Sequence, residues 1–288
     1  ITSVSYKKEN ILKLLKMLVG ALITAGILIG ATNVALAGST RQSLSSESAL
    51  EAIKKRGTLR IGLATFVPWA MRDKKGDLIG FEIDVGKRVA EDMGVEIEHI
   101  PTAWDGIIPA LLAGKFDVII SGMSITMKRN LTVNFTHPYA NTGYILVGST
   151  AMAKKKGLKT LEDYNSSDIT IATRRASTGA IAAQVNFPKA KLIYFDDGTM
   201  GIQEAANGKV DATTSTPPKA AYDIEKRGDK LFVVDKTLMS PTREAFAVRK
   251  GDPDILNWFN NWIDNVKASG WLQERHAYWF TTRKWADP

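Results

Sequence analysis

The sequence predicts an α/β protein on three observations. Helical and β-like segments alternate from residue 59 onward; the strand segments are short, apolar and branched, as in a parallel sheet buried on both faces; and a helix, Gly, Lys, apolar residue, Asp, strand pattern occurs twice, at 112–118 and 205–212. The 288 residues are 44% hydrophobic and 24% charged, which excludes disordered and collagen-like chains.

Residues 1–37 read as an export signal, with basic residues ending at Lys16, an uncharged run from Met17 and a small-x-small cleavage pattern at Ala35-Leu36-Ala37. The other reading is a retained anchor, since that run is long enough to cross a bilayer at about 20 residues. A polar leader over 38–49 runs into a capping box, Ser48-Ala49-Leu50-Glu51, that opens a short helix closed by Gly57. Strand 59–64 follows, then the turn Asp73-Lys74-Lys75-Gly76, and a helix capped by Asp84 and running to Met93. Strand 95–100, helix 106–113 and strand 116–121 complete the first half.

The second half repeats the rhythm with strand 169–173, helix 177–187, strand 191–195, helix 200–206, strand 210–215 and a helix from Pro217. Gly114 and Gly208 supply the left-handed residue after each helix of the repeated pattern. Ser121-Gly122-Met123-Ser124 follows the first repeated strand and Ser215-Thr216-Pro217-Pro218 the second. Ligands of open α/β sheets sit beyond such strand ends. Segments 144–147 and 244–249 are β-like and suited to carry the chain between two halves. Helices 255–269 and 271–280 carry Trp258, Trp262, Trp271 and Trp279 at spacings that suit packing.

Composition also limits function. Lys and Arg number 38 against 30 Asp and Glu, a net charge of +8, but the bases are interleaved with acids, which argues against a nucleic-acid surface. There is no Cys, so no thiolate zinc site and no lipid-attachment residue at the cleavage point; the expected product diffuses in an extracytoplasmic space, most simply a periplasm. His99, His137 and His276 lie far apart and read as structural, so no metal and no cofactor is expected. G-x-S-x-G, H-E-x-x-H and P-loop motifs do not occur.

Six segments carry a family resemblance: Gly57-Thr58-Leu59-Arg60-Ile61-Gly62, Gly80-Phe81-Glu82-Ile83-Asp84-Val85, Trp104-Asp105-Gly106-Ile107-Ile108-Pro109-Ala110-Leu111, Ser121 to Arg129 (SGMSITMKR), Ala176-Ser177-Thr178-Gly179 and Ala247 to Pro253 (AVRKGDP). In order and spacing the chain resembles the periplasmic solute-binding proteins of polar amino-acid ABC transporters. The resemblance implies a type II two-lobed fold, lobe one over 50–142 plus 244–288 and lobe two over 143–243, joined by two hinge crossings. It implies a monomeric receptor that closes on a small zwitterionic solute and delivers it to a permease in the inner membrane.

Carried onto this sequence, Arg129 is expected to hold a carboxylate by two parallel hydrogen bonds, with Ser121, Gly122 and Ser124 beside it and Ser177 and Thr178 opening a helix N-terminus opposite. Phe66, Trp69 and Trp104 match aromatic wall positions; core packing is their other reading. Two departures stand out. Thr216 occupies the place of an acid that pairs with the ligand ammonium, and Arg174-Arg175 precede Ala176, either reading a second anionic group or facing solvent. The missing acid leaves three ligand classes: an amino acid, a betaine-like N-alkylated zwitterion held by aromatic faces, or an acid without an amino group. The resemblance extends to cyclohexadienyl dehydratases, but Ala180 stands where their chemistry needs a proton-donating carboxylic acid, so the expectation is a non-enzyme.

Overall fold

The computed structural model describes residues 48–282 and 284–286; the signal-peptide reading and most of the leader lie outside the described residues. In chain order the elements are α1 (Ala49–Arg56), β1 (Thr58–Leu63), β2 (Met71–Arg72), β3 (Leu78–Ile79), α2 (Phe81–Met93), β4 (Glu96–Pro101), α3 (Ile107–Leu112), β5 (Val118–Ile119), α4 (Met127–Asn130), β6 (Asn134–Phe135) and β7 (Ala140–Ser149). Then come α5 (Thr150–Lys156), β8 (Thr170–Arg174), α6 (Thr178–Asn186), β9 (Lys191–Phe195), α7 (Gly198–Ala206), β10 (Ala212–Ser215), α8 (Pro217–Arg227), β11 (Leu231–Val233), β12 (Ser240–Glu244), β13 (Ala247–Val248), α9 (Pro253–Ala268) and α10 (Trp271–Ala277).

Two sheets form. The first runs β4-β1-β5-β13-β6, with β1 parallel to both β4 and β5; the second runs β11-β7-β10-β8-β9, with β8 parallel to both β10 and β9. β7 is the long strand between them. Its first half, from Ala140 to Tyr144, pairs with β12, and its second half with β10 and β11. The chain therefore leaves the first sheet along β7 and returns to it along β12 into β13. Each sheet has its own core, built on Ile107, Leu111, Phe116 and Ile119 in the first and on Val147, Ala172, Ile202 and Leu231 in the second.

The repeated sequence pattern is one structural device used twice. Gly114 and Gly208 sit at φ +71° and +69°, the left-handed conformation that turns a helix into a strand. The aspartate that follows is buried. Asp117 accepts the Arg60 backbone amide at 2.9 Å and pairs with Arg56 and Arg60; Asp211 accepts the Thr170 amide at 2.7 Å and pairs with Lys156 at 2.8 Å. Each carboxylate fastens the start of its own strand to the neighbouring parallel strand, β1 or β8.

Two sequence expectations are corrected. Asp84 does not cap its helix: α2 starts three residues earlier because the carbonyls of Pro68 and Trp69 accept the Phe81 and Glu82 amides. The Asp84 carboxylate instead accepts the Trp279 indole N–H at 2.7 Å. Strand 116–121 narrows to Val118–Ile119, although flanking amides of Asp117 and Ile120 still bond to Arg60 and Gly62 of β1. Trp262 likewise donates to Asp92, so these two tryptophans anchor the C-terminal helices to α2 as well as packing.

Replacing either aspartate removes an acceptor from a buried amide and strands its basic partner. Asp117→Ala and Asp211→Ala are each expected to lower unfolding free energy by about 2 kcal/mol, below the value for fully buried pairs because the partner bases are partly exposed. Urea denaturation checks this, and midpoints equal to the parent's would contradict it.

Candidate functional site

Loops at the carboxyl ends of the parallel strands of both sheets converge on one cavity. From the first sheet come Phe66 and Trp69 after β1, Trp104 after β4, and Ser121, Gly122 and Ser124 after β5; from the second come Arg174 and Ser177 after β8, Gly198 at the start of α7, and Thr214 and Thr216 from the end of β10. The crossing strands form the base, with Thr142 and Tyr144 from β7 and Glu244 from β12. The free space is about 40 Å³. At the scale of roughly 10–15 Å³ per water that is room for a few waters, so a solute of amino-acid size enters only as the walls separate.

Nine of the residues singled out by sequence line this cavity: Phe66, Trp69, Trp104, Ser121, Gly122, Ser124, Arg174, Ser177 and Thr216. Arg129 and Thr178 do not. Arg129 lines a neighbouring recess, where its Nη1 donates to the Ser124 carbonyl and its Nη2 to the Ala176 carbonyl, both at 2.9 Å. The guanidinium thus ties a first-sheet loop to a second-sheet loop. Trp104 Nε1 donates to the same Ala176 carbonyl at 3.2 Å, and Ser124 Oγ meets Thr178 Oγ1 at 3.1 Å. Ala176 adopts φ +55°, a left-handed conformation costing about 1 kcal/mol or more in a residue with a Cβ. Two donors from the other sheet converge on the carbonyl so presented.

Each polar group has a local reason for its position. Ser177 is the N-cap of α6, accepting the Ala180 amide at 3.1 Å while donating to the Arg174 carbonyl at 2.7 Å. Ser121 Oγ accepts the Ala64 amide at 2.8 Å and so holds the loop after β1 against the loop after β5. Gly122, at φ +54°, directs its amide at the Glu82 carboxylate; a Cβ there would lie 3.5 Å from the Trp69 ring.

The aromatic faces already carry the chain's own cations. The Arg174 guanidinium lies 4.9 Å from the Trp104 ring centre and 6.0 Å from that of Phe66, Arg129 lies 5.3 Å from Trp104, and Lys219 Nζ lies 5.6 Å from Phe66 while paired with Asp223 at 2.7 Å. Burial lowers the pKa of Arg129 and of Arg174, and both guanidinium groups keep their charge at neutral pH. Arg174 spends only Nε on the protein in hydrogen bonding, at 3.3 Å from the Asp196 carbonyl, among the described residues.

Five lining residues were missed by sequence reasoning: Thr142, Tyr144, Gly198, Thr214 and Glu244. Thr142 and Tyr144 alternate along a strand, a period-2 signal that marks one face but not what that face meets. Glu244 matters most. It is fully buried, its Oε1 accepts from Thr242 Oγ1 at 2.7 Å and from Ser124 Oγ at 3.4 Å, and its Oε2 has no partner among the described residues. Desolvation pushes its pKa up to about 7. Behind it Glu82, 1% exposed on α2, accepts from the Tyr139 hydroxyl and the Gly122 amide, and desolvation raises its pKa to about 8. Of the three histidines, His99 is held neutral by burial, its pKa lowered to about 4, and no cluster of three or more His, Cys, Asp or Glu occurs among the described residues.

Both acids have folded-state pKa values above the ordinary 4.5. The native state therefore binds the more protons between those limits, and stability is highest below about pH 4.5 on this account and is lost as pH rises toward 7 and 8. Glu82→Gln is expected to flatten that decline, because the amide keeps the shape without the buried charge. Thermal unfolding from pH 5 to 8.5 checks it; equal slopes for parent and variant would contradict the assignment.

Comparison with known proteins agrees with this geometry. Residues 59–282 match the family model of bacterial extracellular solute-binding proteins, family 3. The chain is 29% identical over 258 residues to the L-cystine-binding protein TcyJ of Escherichia coli (strain K12), covering 88% of this chain and 94% of the relative. Among solved structures it resembles the ancestral amino acid-binding protein AncCDT-1, a precursor of cyclohexadienyl dehydratase, with TM-score 0.73, 39% identity and coverage of 81% of this chain and all of that one. It also resembles a binding component of an ABC transporter from Wolinella succinogenes complexed with lysine, with TM-score 0.74, 37% identity and coverage of 81% of this chain and all of that one.

Proposed function

We propose that this chain, which belongs to the bacterial extracellular solute-binding proteins of family 3, is the receptor of an ABC importer for an amino acid, working in the periplasm and delivering its solute to a membrane permease. The observation that supports the reading is the cavity itself: both sheets and both crossing strands contribute to it, and it places a guanidinium, Arg174, and a carboxyl, Glu244, on one enclosed surface with serine and threonine hydroxyls between. That is a bipolar surface, suited to a zwitterion. The relatives supply the solute class, through cystine and lysine.

In this reading the lobes are 50–142 with 244–288 and 143–243, hinged at β7 and β12. A solute touching both faces shifts the population toward closure, because it has contacts with both lobes only in that state. The carboxylate is received by Arg174 near the Ser177 end of α6. Arg129 acts by holding the Ser124 and Ala176 carbonyls that frame the cavity.

A betaine-like ligand is disfavoured at Phe66 and Trp104, whose rings already meet Arg174, Arg129 and Lys219. Dehydratase chemistry has one point in its favour, a carboxylic acid with raised pKa at the cavity. Against it, Ala180 occupies the position matched to the family's acid, and transport receptors predominate among the relatives reported above.

Calorimetry of protein refolded free of ligand is expected to show one amino acid bound per chain, with Arg174→Ala and Arg129→Ala each weakening it at least tenfold while circular dichroism stays unchanged. Incubation with prephenate is expected to yield no aromatic product. Absence of amino-acid binding, or turnover of prephenate, would overturn the reading.

A further inference from the structure

The amino-acid reading leaves the ligand's ammonium group without the acid that Thr216 replaces, and the cavity shows what stands in for it. Two residues that line the cavity each carry a side-chain oxygen that is buried and unpartnered among the described residues: Glu244 Oε2 and Thr216 Oγ1. Their residues are 0% and 2% exposed. One is an acceptor and the other can accept as well as donate, so a hydrogen-bond donor satisfies both. A primary ammonium supplies three; a quaternary ammonium supplies none.

Resting on the proposed function, we infer that Glu244, from the returning hinge strand β12, is the counter-charge for the solute's primary ammonium, with Thr216 as second acceptor. The acid has moved from the second sheet to the hinge. Glu244 pairs in register with Ala140 of β7 and bridges to Ser124 across from β12, so its backbone is fixed by both neighbours. Its Oε1 is committed to Thr242 and Ser124, which leaves Oε2 for the solute. Binding at this position also links recognition to closure, since the contact is made on the strand about which the lobes turn.

The ionisable groups around Glu244 decide how this responds to pH. Glu82 of α2 and Tyr139 ahead of β7 lie behind it, Tyr144 of β7 lies within electrostatic reach of Glu244, Arg129 and Arg174, and Ser124 connects Glu244 to Arg129. Arg243 alternates to the opposite face of β12. Between pH 5 and 8 the two arginines stay charged and both tyrosines, raised by burial, stay neutral. Glu82 and Glu244 are the carboxyls among these groups whose pKa burial raises into that range. Glu244 must be ionised to hold an ammonium, so affinity rises with pH by up to tenfold per unit below about pH 7 and levels off above.

The probe is the tightest binder from a panel of the twenty common amino acids and L-cystine, titrated by calorimetry from pH 5 to 8 beside its Nα-trimethyl derivative. Expected results are a rising affinity for the primary amine, at least tenfold weaker and flatter binding of the trimethyl form, and a ten- to hundredfold loss with loss of the slope in Glu244→Gln. The parent's pH slope and the trimethyl comparison stand even if that variant folds poorly. Parent binding that Glu244→Gln leaves unaltered in affinity and slope overturns this inference alone; equal binding of the trimethyl form does the same. If no amino acid of the panel binds the parent, the proposed function falls and this inference with it.

Discussion

A carboxyl group enclosed between two sheets, away from water, costs several kcal/mol unless something meets it. Glu244 is such a group, and the site is organised around it: Ser124 and Thr242 satisfy one oxygen, Tyr144 sits among the charges, and Arg174 provides the opposite sign on the same wall. In the proposed reading, the requirement that buried polar groups find partners favours a solute that brings a carboxylate and hydrogen-bond donors over an apolar or donor-free one.

The same requirement connects the site to the hinge. Strand β7 is divided between two partners, β12 along its first half and β10 and β11 along its second, so the crossings are hydrogen-bonded ladders rather than loose linkers. Polar contacts across the cleft include Arg129 and Trp104 on the Ala176 carbonyl and the hydroxyl pair of Ser124 and Thr178, beside ring contacts of Phe66 and Trp104 with Arg174, of Phe66 with Lys219 and of Tyr222 with Trp285. Hydrogen bonds of this kind contribute about 1 kcal/mol each, and Ala176 gives part of that back through its left-handed backbone. In the proposed reading, a solute that contacts both sides shifts the population between open and closed forms.

Much of the fold was legible because its signals are local. Periodicity located the strands and helices, and the paired Gly-Lys-x-Asp segments marked two equivalent turns whose aspartates fasten parallel strands. Asp84 misled because a cap and an acceptor for a distant indole look identical in sequence; only the carbonyls of Pro68 and Trp69, delivered by tertiary structure, show which it is. At the site, the serines and the aromatics were accessible through motif order, and Arg174 only as a departure from it whose other reading was solvent exposure. Glu244 was not, because its importance comes from a register across β7 and from burial by elements more than a hundred residues away. Arg129 illustrates the complementary limit: the sequence identified the cation but not the two carbonyls to which its guanidinium is directed.

Whether one enclosed surface recognises both ends of a zwitterion is decided most directly by a crystal structure of the protein with the solute that survives purification. Electron density is expected in the cavity between Glu244 and Arg174, with an ammonium nitrogen within hydrogen-bonding distance of Glu244 Oε2 and a carboxylate on the Arg174 guanidinium. A solute seated elsewhere, or one whose cationic group rests on the Phe66 and Trp104 rings with Glu244 uncontacted, would contradict it.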